Sequence, residues 1–88
     1  MKRIYVTDEN GQEWVRITKN TARKLYNVGM EVCFCPCKMH PFGFWGCGVV
    51  VHSGFDFTEL VNEYEFYNCN MNETGKYTAF YVKAEEKL

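Results

Sequence analysis

Apolar and polar positions alternate at the start of the chain, shift to a helical spacing after residue 18, and then alternate again. Residues 2–7 and 12–17 are rich in β-branched and aromatic side chains, and Asp8-Glu9-Asn10-Gly11 separates them. Asn-Gly between two such runs predicts a β-hairpin, because glycine accepts positive φ without a steric penalty. Thr18 stands where a helix N-cap belongs, and Gly29 where a helix stops. The spacing between them predicts a helix over about 18–28, with Ala22, Leu25 and Tyr26 on its buried side and Lys19 and Arg23 on another.

Alternation returns over 30–35, which predicts a third strand that Pro36 ends or confines to an edge. Residues 36–48 hold both prolines and three glycines together with Phe42, Phe44 and Trp45. They predict a loop that packs on the rest of the fold. A short strand over 49–52 and a Ser53-Gly54 turn follow. Residues 56–64 carry two conflicting signals. Phe57, Leu60, Val61 and Tyr64 have helical spacing, whereas 64–69 alternate as a strand would. The reading adopted is a short second helix near 57–62, a strand over 63–69, a turn at Asn72 to Gly75 and a strand over 76–83. The predicted fold is α+β: a small, mostly antiparallel sheet from two β-hairpins plus central strands, with one main helix packed on it.

Eighty-eight residues suffice for a single domain, 1–88, and leave only a modest core. Seven Phe, six Tyr and two Trp offset that shortage by burying large areas each. No early apolar stretch reads as a signal peptide, and no run of about eighteen apolar residues exists, so a cytoplasmic protein without membrane contact is expected. Residues 1–44 hold seven Lys or Arg against four acids, whereas residues 45–88 hold three against seven. That polarity predicts two electrostatically distinct surfaces, which suits partner binding.

Three kinds of site follow from the residues. Cysteine and histidine cluster at Cys33, Cys35, Cys37, His40, Cys47 and His52, with Cys69 distant. Cys35, Cys37 and Cys69 with either His40 or Cys47 form a candidate zinc tetrad, though Cys-x-Cys is closer than common zinc spacing. The alternative is that strand alternation buries the thiols as small hydrophobes, with no cofactor. A Cys37 or Cys69 nucleophile paired with His40 or His52 has no further motif behind it, so no catalytic residue is assigned and the chain is read as a non-enzyme. Glu59, Glu63 and Glu65 read as a solvated acidic face or a docking surface.

Arg16, Lys19, Arg23 and Lys24 form a basic group suited to phosphate contacts, which makes nucleic acid the second partner class. Phe42, Phe44, Trp45, Phe55 and Phe57 sit in or beside loops, and a patch of such rings would mark a protein interface. Oligomeric state is left open.

Three segments look familiar together: Ile17 to Tyr26, Cys35-Pro36-Cys37 leading to Pro41 to Trp45, and Tyr67 to Cys69 with Glu73 to Tyr81. They resemble small uncharacterised proteins encoded by phages and integrative elements of gut Firmicutes. The resemblance brings no assigned activity. It implies a small non-catalytic accessory or inhibitor, of an anti-defence kind, that binds a larger host protein.

Overall fold

The computed structural model describes residues 3–38, 40–42, 48–67 and 77–84. They form five strands and two helices, in the order β1 (Tyr5–Thr7), β2 (Glu13–Ile17), α1 (Lys19–Asn27), β3 (Val32–Pro36), β4 (Val49–Val51), α2 (Phe57–Tyr67) and β5 (Thr78–Lys83). The strands make one sheet in the order β1-β2-β5-β3-β4, antiparallel throughout. This is the predicted α+β class. No helix among the described residues is long and apolar enough to cross a membrane.

The first hairpin forms as predicted, but its turn is more elaborate than a two-residue Asn-Gly loop. Within this turn only Gly11 has positive φ, at 84°, so Asn10 does not. A turn closed by the Gly11 amide on the Asp8 carbonyl, followed by a left-handed glycine, connects the strands. Asp8 organises it. Its Oδ1 accepts from the Asn10 and Gln12 amides, and its Oδ2 accepts from the Trp14 indole N–H at 3.1 Å. The Trp14 bond, ahead of the Gln12 and Asn10 amides and the charge of Lys83, holds the Asp8 carboxyl below the usual carboxylate range.

Thr18 caps α1, its hydroxyl accepting from the Thr21 amide at 3.2 Å. Gly29, at φ 92°, ends the helix as its amide returns to the Tyr26 carbonyl. Pro36 closes β3 without disturbing the ladder. It lies opposite Thr78, and the next available amide, that of Cys37, bonds the Tyr77 carbonyl at 2.9 Å.

Over 63–67 the expected strand is replaced by helix, because α2 continues to Tyr67; residues 68 and 69 lie outside the described residues. The helical set Phe57, Leu60, Val61 and Tyr64 packs on the core, and this wins over the alternation of Tyr64 and Phe66. Phe66 is exposed and so does not mark a buried strand face. The expected first arm of the second hairpin is thus helical as far as Tyr67, and the rest of that arm and its turn at 72–75 lie outside the described residues.

Strand alternation divides the apolar side chains between the two faces of the sheet. Val15, Val32, Phe34, Phe80 and Val82 face the helices and pack with Ala22 and Tyr26 of α1 and Phe57 and Val61 of α2. Val6, Trp14, Cys33, Cys35, Ala79 and Tyr81 form a second core, against which Cys37 and Phe42 pack.

Candidate functional site

The cysteine segment follows from β3. Cys33 and Cys35 sit two apart on one face, fully buried, with Cys37 half-buried just beyond the strand. Their thiols lie near the Phe34 and Pro36 carbonyls, at 3.7 and 3.4 Å. Their neighbours are Val6, Trp14, Ala79 and Tyr81, an apolar environment that suits cysteine as a small hydrophobe.

The chain then returns over this face. Phe42 stacks against Trp14 at 5.0 Å between ring centroids, and the Gly48 amide bonds the Pro41 carbonyl at 3.0 Å. A Cβ on Gly48 would stand 2.7 Å from the Pro41 oxygen and 3.1 Å from the Cys33 sulfur, so only glycine fits this crossing. His40 is exposed, and its Nδ1 accepts from the Phe42 amide at 3.1 Å. Among the described residues no three His, Cys, Asp or Glu side chains are grouped to hold a metal ion. Cys47 and Cys69, two members of the expected zinc sets, lie outside the described residues, as do Phe44 and Trp45.

The remaining aromatic candidates separate sharply. Phe57 is not a surface residue. It opens α2, is 2% exposed, and contacts Tyr26, Phe34 and Phe80 at 5.6–5.7 Å between centroids. Its place in the helical repeat, rather than its nearness to a turn, decided its burial. Phe42 is half-buried on Trp14.

Phe55, in contrast, is 69% exposed. The backbone that carries it is nevertheless fixed from both sides. The Tyr26 hydroxyl, from α1, donates to the Phe55 carbonyl at 2.6 Å. Asp56 immediately afterwards caps α2, its Oδ2 accepting from the Thr58 and Glu59 amides. The Tyr26 contact was not legible from spacing, whereas Asp56, three residues before Glu59, is a recognisable cap signal.

The basic group lies around the start of α1. Lys19, Arg23 and Lys24 are exposed, Arg16 is half-exposed, and the Arg23 guanidinium donates to Asn20 Oδ1. The sequence of α1 contains no acid and that of α2 no Lys or Arg, while Glu59 and Glu63 on α2 are exposed. Both helices cover the same face of the sheet. The charge asymmetry between the two halves of the chain thus becomes a basic helix and an acidic helix on one surface.

Arg16 and Lys19 also line an open recess of about 380 Å³, together with Thr18, Glu65, Tyr77 and Thr78. Topology creates it. The β2–β5 ladder ends at Ile17 opposite Phe80, where the chain leaves for α1. β5 begins two residues earlier, and Thr78 and Ala79 pair with Pro36 and Cys35 of β3 on their other side. The Thr78 hydroxyl donates to Glu65 Oε2 at 2.6 Å and ties α2 to this end of the sheet.

Comparison with protein families, with curated proteins and with solved structures finds no match.

Proposed function

We propose that the chain is a non-catalytic protein-binding module, of the accessory or inhibitor kind expected for a mobile-element protein, with Phe55 as its anchor. One observation carries this reading: a large apolar ring stands in solvent on a backbone held by Tyr26 and by the Asp56 cap. Such a ring loses little conformational freedom when it enters a partner's pocket, which lowers the cost of association. Buried aromatic anchors commonly dominate interface energies. The neighbouring basic and acidic helices supply the charge pattern that orients an encounter with a larger protein.

The test is capture of a partner from bacterial lysate by immobilised wild-type protein, Phe55→Ala and Tyr26→Phe. Wild type should recover one protein near stoichiometry. Phe55→Ala should reduce recovery by about tenfold or more, in keeping with loss of a hot spot. Tyr26→Phe, which removes only the hydroxyl, should fall between them, with melting temperatures showing all three folded. Equal recovery by all three, or no partner with any, overturns the proposal.

A second reading, nucleic-acid binding through Arg16, Lys19, Arg23 and Lys24, is favoured by the uninterrupted positive charge exposed on α1. It requires binding that weakens steeply with salt and that Arg23→Gln with Lys24→Gln diminishes. The same affinity at all salt concentrations would remove it.

A further inference from the structure

The two helices carry one pattern in opposite signs. On α1, Lys19 and Arg23 stand four residues apart with Lys24 beside them, all exposed, and Val28 at the C-cap is exposed too. On α2, Glu59 and Glu63 stand four residues apart, both exposed, and the helix ends on exposed Phe66 and Tyr67. In each helix two like charges lie about 6 Å apart along the axis, and exposed apolar surface follows at the C-terminal end. Like charges at that spacing repel, so neither pair stabilises the helix that carries it.

The inner positions of both helices are taken by the core: Ala22 and Tyr26 on α1, Phe57 and Val61 on α2. The charges occupy the positions left over. Among the described residues the one ion pair joins Lys83 to Glu31, so the helix charges are not paired within the chain.

These charges select the occupant. A nucleic acid or an acidic protein would be repelled by α2, and a basic protein by α1. A surface that suits both presents acid to α1 and base to α2 at the same one-turn spacing. This face of a second copy does so. A two-fold axis between the helices sets α1 of each copy over α2 of the other, so every contact is made twice. A net charge of −1 leaves little overall repulsion between copies.

We propose that the outward faces of α1 and α2 form a homodimer interface, with Lys19, Arg23 and Lys24 of each copy against Glu59 and Glu63 of the other. The charges fix the arrangement and disfavour α1 on α1, which would oppose like signs. Phe66, Tyr67 and Val28 add the apolar burial that exposed ion pairs lack. The proposal goes beyond the protein-binding reading and does not rest on it, because Phe55 precedes α2 and lies outside both charged sets.

Analytical ultracentrifugation of the whole chain at low salt tests this. Wild type should show a concentration-dependent dimer that dissociates as salt rises. Arg23→Glu with Lys24→Glu leaves both helices acidic, and Glu59→Lys with Glu63→Lys leaves both basic. Each double variant alone should dimerise about tenfold more weakly or worse. Mixed in equal amounts, the two should form a heterodimer, because each contact again opposes unlike charges. Phe66→Ala should weaken the wild-type dimer by about threefold or more. Phe55→Ala should leave it unchanged. All these positions are exposed, and melting temperatures identify any variant that has unfolded; Lys24→Gln and Glu63→Gln then give milder changes in the same direction.

A monomer at every concentration up to about 1 mM overturns the proposal. So does a dimer that both charge variants retain, or a mixture of folded variants that stays monomeric. Loss of the dimer on Phe55→Ala but not on the charge changes would put the interface elsewhere and overturn it as well.

Discussion

On the helix side of the sheet, Phe34 meets Phe57 and Phe80 edge to face, at 5.7 and 5.4 Å, and Tyr64 at 5.6 Å. On the other side, Cys33, Cys35 and Ala79 are small, and the bulk comes from Trp14, Tyr81 and Phe42 around them. The difference follows from what covers each face. Helices stand off a sheet by the length of their side chains, so large rings from both layers can interdigitate. A returning loop brings its own backbone close, as Gly48 does against Cys33, and the residues beneath must be small. One face is therefore filled by volume and the other by close approach.

The largest effect should come from emptying the filled face. Phe34→Ala removes the ring that three others surround, and should cost about 3–5 kcal/mol in chemical denaturation. A loss below about 1 kcal/mol would mean that this face is not the main core.

Next comes overfilling of the close face. Gly48→Ala sets a methyl against the Pro41 carbonyl, which is backbone and yields poorly, and should cost about 1–3 kcal/mol. For a chain of this size that is a fall in melting temperature of about 4–8 °C per kcal/mol. An unchanged melting temperature would show that the loop does not lie as tightly as its geometry states.

A smaller coupling joins the loop to the sheet. A double-mutant cycle on Trp14→Leu and Phe42→Leu should return about 0.5–1.5 kcal/mol for the stacked pair. A coupling of zero would reduce Phe42 to a passive cover.

The mildest probe is acid. Because the Asp8 carboxyl is held low by Trp14, its ionised form stabilises the folded state. That contribution is complete above the unfolded value near about pH 4 and disappears as the pH falls through the lower folded value. Indole fluorescence should change over the same acid range, and Asp8→Ala should flatten that limb of the stability profile. An identical acid limb in the variant would show that Asp8 is not the group titrating.

The elements that residue chemistry determines locally were legible in the sequence. Gly11 marks the first hairpin, Thr18 and Gly29 bracket α1, and the strand predicted over 76–83 contains β5. Asp8 was not singled out, although an Asp two residues before Asn-Gly is an Asx-turn signal. The misreading at 63–67 arose because Tyr64, Glu65 and Phe66 satisfy two periods at once, and only packing against β3 and β5 decides between them. For the candidate sites, Cys33 and Cys35 are buried, which is the arrangement that strand alternation offered as the alternative to a metal site. That they face away from the helices could not be known without the strand order. Phe55 and Phe57 look equivalent along the chain and end at opposite extremes of exposure, because one precedes the Asp56 cap and the other opens the helix. The recess depends on where β2 and β5 stop pairing, a register that no local pattern encodes.

Among the described residues the outer strands of the sheet, β1 and β4, are each three residues long. Edges are where a sheet would recruit another chain, and self-association into fibrils needs continuous stretches of about six residues. In a chain so rich in aromatic and β-branched residues, brevity at the two borders limits runaway assembly. Among the described residues, each edge strand is shorter than the template such copying needs.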